Sequence, residues 1–102
     1  MGIEGAHTTF KRPAEFAAPV VIYVTEYCGF CRMAEALLQR KSIAFAAVDV
    51  THSADARSWL VETTGQRTVP QVFIHGRSIG GYSELSALDR AGKLAALLAA
   101  GP

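Results

Sequence analysis

Two cysteines, three positions apart, are the most reactive feature of the sequence. Cys28 and Cys31 enclose Gly29 and Phe30, and the 102-residue chain contains no other cysteine. A disulfide between residues this close restrains only a very short loop, so it adds little to the stability of a fold. Redox chemistry explains the pair better, because a thiolate can attack a disulfide sulfur and a neighbouring thiol can then resolve the mixed disulfide.

Two other uses of the pair compete with redox chemistry. Reduced cysteines are common in protein cores, so the pair could serve packing alone. A tetrahedral zinc site needs about four ligands. The sequence has no second Cys-x-x-Cys and no His-x-x-x-His, so zinc would require two chains. His7, His52 and His75 share no ligand spacing, and we interpret them as surface residues.

The elements on either side of the motif predict how the sulfurs are positioned. The run VVIYVT at residues 20–25 predicts a strand that is buried on both faces and ends at the motif. An amphipathic helix follows, from near Cys28 to about Lys41. Both sulfurs then lie on one side of the first helical turn, where the helix N-terminus favours the thiolate of Cys28. Cys28 is therefore the predicted nucleophile and Cys31 the predicted resolving residue.

The remainder of the domain predicts three more strands and further helices. Residues 43–50 form the second strand candidate, and Ser53 is an N-cap for a helix that ends at Gly65. Residues 71–80 predict an antiparallel hairpin that turns at His75 and Gly76. The last amphipathic stretch, residues 82–100, has an expected break at Gly92.

This order of elements predicts an α/β fold of the thioredoxin-like type. A right-handed βαβ crossover makes the first two strands parallel, and the hairpin adds antiparallel strands. The expected result is a four-stranded mixed sheet with helices on both faces. We divide the chain into an N-terminal extension, residues 1–18, to which we assign no function, and one domain, residues 19–102.

Composition excludes several classes of function. The net charge is +1 and the charged residues, 19% of the chain, form no basic run, so we expect neither nucleic acid nor membrane as a partner. No apolar stretch is long enough to span a bilayer, and the first 13 residues lack the apolar core of a secretory signal. We expect a cytoplasmic protein that is monomeric.

Three blocks of sequence resemble the glutaredoxin family, in a match that runs from about Val20 to Leu98. They are IYVTEYCGFC, TGQRTVPQVFI and IGGYSEL, followed by ALDRAGKL. The resemblance implies a thioredoxin-type fold and an enzyme that uses glutathione to reduce protein disulfides and glutathione mixed disulfides. In that family the first cysteine, here Cys28, receives the glutathionyl group. Cys31 resolves protein disulfides and is not always needed for deglutathionylation.

The same resemblance assigns the contacts of glutathione. Pro70 is expected to follow a cis peptide bond, which exposes the main chain of Val69 to the ligand. A helix N-terminus is expected to hold the γ-glutamyl carboxylate, and Glu84 is expected to lie near the amino group of the same γ-glutamyl residue. A cation on the second helix is expected to hold the glycyl carboxylate. The glutathione-binding residues proposed are Phe30, Arg57, Arg67, Thr68, Val69, Pro70, Gly81, Tyr82 and Ser83.

Two positions depart from the family pattern. Thr25, followed by Glu26, stands where the family usually has a lysine, which removes a cation that favours the thiolate. We expect Arg57 or Arg67 to compensate in part. Gly29 stands where many members have proline, and in the family such a residue is associated with a glutathione-ligated [2Fe–2S] cluster shared by two chains. The alternative function is therefore a dimeric cluster carrier or sensor with Cys28 as ligand.

Overall fold

The computed structural model describes residues 10–101 of the chain, which contain four strands and four α-helices. A short 3₁₀ helix, Pro13–Glu15, precedes the first strand. The other elements are β1 (Val20–Val24), α1 (Gly29–Arg40), β2 (Phe45–Asp49), α2 (Ala54–Thr64), β3 (Gln71–Ile74), β4 (Arg77–Gly80), α3 (Tyr82–Arg90) and α4 (Lys93–Ala100). The predicted order of elements is confirmed, and the last helical stretch divides at Gly92, where φ is 74°.

The four strands form one mixed sheet in the order β2-β1-β3-β4. β1 and β2 are parallel, with Val20 opposite Phe45, and β1 and β3 are antiparallel, with Val20 opposite Ile74. β3 and β4 form the predicted antiparallel hairpin. β1 lies in the centre and all of its residues are buried, which confirms the expectation drawn from its unbroken apolar run.

Helices cover both faces of the sheet, and the two faces have different cores. Helices α1, α3 and α4 pack on one face through an aliphatic cluster that includes Ile22, Leu38 and Leu85. Helix α2 packs on the other face, where Tyr23 and Phe73 of the sheet meet Trp59 of the helix. The thioredoxin-like, four-stranded fold expected from the sequence is therefore confirmed.

Helix α2 begins and ends at the residues that the sequence indicates. Ser53 is its N-cap, and the Ser53 hydroxyl accepts a hydrogen bond from the N–H of Ala56 at 3.1 Å. Gly65 ends it in the left-handed region, with φ of 75°, and donates its N–H to the carbonyl of Val61. These two caps fix the helix that carries Arg57.

Residues 10–16 lie against the aromatic face. Phe10 contacts Trp59, with ring centroids 5.7 Å apart, and the guanidinium of Arg12 lies over both rings. The hydroxyl of buried Tyr23 donates to the carbonyl of Lys11 at 2.7 Å, and burial raises the pKa of Tyr23. The proposed extension thus contributes to the core from residue 10 onward; its first nine residues, with His7, lie outside the described part. The boundary at residue 18 stays a prediction.

Candidate functional site

The loop between β1 and α1 delivers Cys28 to the end of the sheet. Its backbone is held from two sides: the N–H of Glu26 donates to the Thr51 hydroxyl at 2.8 Å, and Arg32 donates to the carbonyl of Thr25 at 3.3 Å. Cys28 follows as the N-cap of α1, where its sulfur accepts a hydrogen bond from the N–H of Cys31 at 3.0 Å. The sulfur therefore occupies the place where serine or aspartate oxygen usually caps a helix.

Cys28 and Cys31 are joined as a disulfide, with their Cα atoms 5.2 Å apart. Cys31 is fully buried between α1 and the sheet, whereas Cys28 is only half-buried. An incoming sulfur can therefore reach Cys28 but not Cys31. The predicted division between an attacking and a resolving cysteine has a steric basis in this difference.

Two backbone groups flank the sulfur of Cys28 and favour opposite forms of it. The N–H of Cys31 favours the thiolate, because a donor stabilises negative charge. The carbonyl oxygen of Val69 lies 3.6 Å from the same sulfur and accepts from a neutral thiol in the reduced protein. The peptide bond that joins Val69 to Pro70 is cis, as the resemblance implied.

A cleft of about 300 Å³ opens beside Cys28, between the cysteine motif and the N-terminus of α3. We call it the helix cleft. It contains seven of the nine residues proposed to bind glutathione, together with Gln66 and Glu84. Its lining residues are Phe30, Gln66, Thr68, Val69, Pro70, Gly81, Tyr82, Ser83 and Glu84.

Glycine is required where the chain enters α3. Gly80 has φ of 108°, and a Cβ there would lie 2.8 Å from the side chain of Glu84. A Cβ on Gly81 would lie 3.2 Å from the carbonyl oxygen of Pro70. The carboxylate of Glu84 uses this space to accept from the N–H of Gly81 at 2.8 Å. The next N–H groups of the first turn, those of Tyr82 and Ser83, have no partner within the helix, and both residues line the cleft.

A second cleft, of about 500 Å³, runs along α2 and contains Arg57 and Arg67. We call it the arginine cleft. It shares Gln66, Thr68 and Val69 with the helix cleft, so these residues form a wall common to both. The nine residues proposed to bind glutathione thus all lie in two adjoining clefts.

Thr51 supports the arginine cleft from the end of β2. Arg57 donates to the Thr51 carbonyl at 2.9 Å, which fixes one side of its guanidinium. The Thr51 hydroxyl and N–H both donate to the carboxylate of Asp49, at 2.6 and 2.8 Å. These two hydrogen bonds lower the pKa of Asp49. Thr51 thereby connects the loop before Cys28 to the helix that carries Arg57.

Sequence reasoning missed three residues of this region: Thr51, Gln66 and Gln71. Of the three, only Gln71 could have been found from the sequence. It is a polar residue in an apolar strand, on the same side of β3 as Phe73. The interpretation of His75 as a surface residue was wrong. It is half-buried, and its Nε2 lies 2.9 Å from the carbonyl of Leu98, which connects the hairpin turn to α4.

Large apolar side chains surround the motif at the surface. Tyr27 is 94% exposed, Phe30 59% and Met33 46%. Among residues 10–101, no group of three or more His, Cys, Asp and Glu side chains is placed to hold a metal ion. In the same part of the chain, no helix has the length and apolar character of a membrane span.

Comparison with known proteins identifies this combination of fold and cysteine pair. The family model described as Glutaredoxin matches residues 20–79. A Pseudomonas aeruginosa protein named Glutaredoxin is 45% identical over 82 residues, which cover 80% of this chain and 98% of that protein. Glutaredoxin 3 of Escherichia coli is 41% identical over 81 residues, covering 79% of this chain and 98% of that protein.

Solved structures agree with the sequence matches. The crystal structure of a buckwheat glutaredoxin–glutathione complex superposes with a TM-score of 0.75 at 32% identity, covering 81% of this chain and 78% of that chain. The crystal structure of a wheat glutaredoxin gives a TM-score of 0.77 at 40% identity, with 84% of each chain covered. The residues matched by the family model, 20–79, include β1, both cysteines and the Thr68–Pro70 segment.

Proposed function

The chain belongs to the glutaredoxin family and is a thiol–disulfide oxidoreductase, and we propose that glutathione is its reductant. The observation that carries this proposal is the position of Cys28, a half-buried sulfur at a helix N-terminus and 3.6 Å from the carbonyl oxygen of Val69, a residue that lines the helix cleft. The substrates proposed are glutathione mixed disulfides and protein disulfides. Cys28 is the nucleophile and Cys31 the resolving residue.

Deglutathionylation needs only Cys28. Its thiolate attacks the glutathione sulfur of a mixed disulfide, a new bond forms between Cys28 and glutathione, and the substrate thiolate leaves and takes a proton from water. A second glutathione thiolate then attacks the glutathione sulfur on Cys28. Oxidised glutathione leaves and the Cys28 thiolate is restored, stabilised by the N–H of Cys31.

Reduction of a protein disulfide uses both cysteines. Cys28 attacks one sulfur of the substrate, and Cys31, one helical turn further on, attacks Cys28 to release the reduced protein. The products are the reduced substrate and the Cys28–Cys31 disulfide, which is the state of the pair in the structure. Two glutathione molecules reduce this disulfide and leave as oxidised glutathione. The exposed rings of Tyr27 and Phe30 supply an apolar surface for the protein substrate.

Glutathione is proposed to occupy both clefts. The N–H groups of Tyr82 and Ser83, with the Ser83 hydroxyl, hold the γ-glutamyl carboxylate at the N-terminus of α3. Arg57 and Arg67 hold the glycyl carboxylate in the arginine cleft. The peptide between them lies along Val69, which lines both clefts. Support for this arrangement comes from the two adjoining clefts: one contains the start of α3, the other contains the two arginines, and both include Val69 beside the Cys28 sulfur.

A second candidate function is a cluster carrier or sensor, and the open space beside Cys28 favours it. A Cβ on Gly29 would have no neighbouring atom within 4 Å, so the surface next to Cys28 is open at this position. One chain offers one accessible thiolate, so a [2Fe–2S] cluster would need two chains and two glutathione thiolates. Anaerobic reconstitution tests this function. Visible absorbance together with a dimer would support it, and a colourless monomer would exclude it.

The cytoplasm is the proposed location and glutathione the proposed small-molecule partner. A cysteine pair that is reduced and oxidised in each catalytic cycle suits a reducing compartment, where structural disulfides are rare. We propose that the catalytic form is a monomer, since both clefts and both cysteines come from one chain.

Turnover of a small glutathione mixed disulfide, coupled to glutathione reductase and NADPH, tests the proposed reaction. Cys28→Ser should abolish turnover, because a hydroxyl is not a nucleophile toward disulfides. Cys31→Ser should retain deglutathionylation and lose the reduction of protein disulfides. Equal loss in both variants on the small substrate would contradict the roles assigned to the two cysteines.

A further inference from the structure

Gln71 is a polar side chain inside an otherwise apolar strand. It is the first residue of β3, follows Pro70 directly and pairs with Tyr23 of β1. Its exposed fraction is 0%, and among the described residues it is the one buried side chain that ends in an amide or a charged group. Since buried amides lose their hydrogen bonds to water, such a side chain needs partners inside the protein.

The amide nitrogen of Gln71 finds those partners in the segment before it. Nε2 donates to the Thr68 carbonyl at 2.9 Å and to Oε1 of Gln66 at 3.1 Å, with the Thr68 hydroxyl at 3.3 Å. A backbone carbonyl can only accept, so the atom beside Thr68 must be the nitrogen. Both N–H bonds of the amide are therefore directed at the wall that the two clefts share.

The amide oxygen of Gln71 has no such partner. Oε1 is buried and accepts no hydrogen bond from the described residues. A buried acceptor without a donor lowers the free energy of unfolding, and an apolar side chain of the same shape would avoid that loss. Stability of the core is thus a poor reason for a glutamine at this position.

We propose that Gln71 is a positioning residue that fixes the wall between the helix cleft and the arginine cleft, so that glutathione contacts both clefts at once. This inference rests on the proposed function. Gln66 and Thr68 line both clefts, and Gln71 holds both residues from the rigid centre of the sheet. Gln71 touches neither glutathione nor the sulfur of Cys28; it acts through the segment that glutathione lies along.

The substitution Gln71→Met separates this role from a structural one. Methionine has nearly the same length and volume and makes no hydrogen bond to the wall. We expect KM for a small glutathione mixed disulfide to rise about 3- to 10-fold, the loss associated with one or two hydrogen bonds, and kcat to stay within about 2-fold. The melting temperature should change little, because the loss of the hydrogen bonds to Gln66 and Thr68 is offset by removal of the unpaired acceptor. A lower melting temperature with unchanged KM would overturn the proposal.

Two further variants make the comparison specific. Ile74→Val removes a methylene from the same buried strand without touching the wall, so it should lower stability slightly and leave KM unchanged. Gln66→Met removes the exposed partner. If Gln71 acts through this wall, the double variant of Gln66 and Gln71 should raise KM by less than the product of the two single effects. If KM of the double variant rose by the full product of the two single effects, Gln71 would not act through Gln66.

Hydrogen exchange at the amides of Arg67 and Thr68 tests the wall without glutathione. Faster exchange in Gln71→Met than in the wild type would support the positioning role, and equal exchange would overturn it. Wild-type protein without any glutathione turnover would overturn the proposed function instead. The exchange rates would then decide alone whether Gln71 orders the wall.

Discussion

The helix cleft and the arginine cleft meet at Val69 but offer a ligand different kinds of contact. The helix cleft presents backbone groups, namely the N–H groups at the start of α3, next to the main chain around the cis peptide bond. The arginine cleft presents two exposed cationic side chains, one of which is fixed by a carbonyl. One half of the site is thus determined by the fold and the other by individual side chains.

This difference determines how each half can be changed. Backbone donors remain after any side-chain substitution, and a helix N-terminus acts only over the first turn. Exposed cations can be removed singly, and salt screens them over a distance of about 10 Å at 0.1 M. Binding in the helix cleft should therefore resist substitution, whereas binding in the arginine cleft should respond to both substitution and salt.

Loss of both arginines should give the largest change in binding. Each exposed charge contact contributes up to about 1 kcal/mol, so Arg57→Met together with Arg67→Met should raise KM for a glutathione mixed disulfide about 10-fold. Arg40→Met, an exposed cation at the far end of α1, is the matched control and should leave KM unchanged. In about 0.5 M salt the difference between wild type and double variant should shrink. A double variant with wild-type KM would remove the arginine cleft from the site.

Removal of the Ser83 hydroxyl, which lies in the helix cleft at the start of α3, should have a much smaller effect. Ser83→Ala leaves the backbone N–H groups in place, so we expect KM to rise about 2- to 3-fold, equivalent to about 0.5 kcal/mol. The same measurement in high salt should give the same ratio of variant to wild type. If the loss matched that of the double arginine variant, the helix cleft would depend on side chains, and the contrast between the clefts would disappear.

Low pH should weaken the hydrogen bonds between Thr51 and Asp49, which support the arginine cleft. Hydrogen bonds from Thr51 lower the pKa of Asp49 in the folded protein, so the unfolded chain takes up its proton first as the pH falls. The resulting stability is present above the unfolded pKa of about 3.9 and is lost as pH falls through the folded value. Thr51→Val removes the hydroxyl donor, and its unfolding free energy should fall less than that of the wild type between about pH 5 and pH 2.

Thr51→Ser keeps a hydroxyl and controls for the change of side chain. It should follow the wild-type acid profile, because the bond to Asp49 can still form. Chemical denaturation at several pH values measures the difference. If the unfolding free energies of Thr51→Val, Thr51→Ser and the wild type fell in parallel with pH, the bond between Thr51 and Asp49 would not contribute to stability.

Local patterns predicted the parts of the site that depend on local structure. The cysteine pair follows a buried strand and begins a helix, which places Cys28 as an N-cap without further information. The Thr68–Pro70 segment and the glycine pair at 80 and 81 were recognised by resemblance, and the structure brings Thr68–Pro70 and Gly81 to the same cleft. Caps at Ser53 and Gly65 were readable because capping depends on a few neighbouring residues.

Contacts between distant segments were not predictable in the same way. Thr51 meets Glu26 across 25 residues, and no periodicity relates them. Phe10 reaches Trp59 only because the chain before β1 folds back over α2, which composition cannot indicate. Gln71 could be suspected as an anomaly in a buried strand. Its partners, Gln66 and Thr68, follow only from the turn of the chain before β3.

We propose that Cys28 alone exchanges with glutathione while Cys31 stays buried. Mass spectrometry of the Cys31→Ser variant after treatment with oxidised glutathione tests this division of roles. We expect one glutathione per chain, attached to Cys28, which reduced glutathione then removes. An unmodified variant, or a matching Cys28→Ser variant that carries glutathione on Cys31 to the same extent, would contradict these roles.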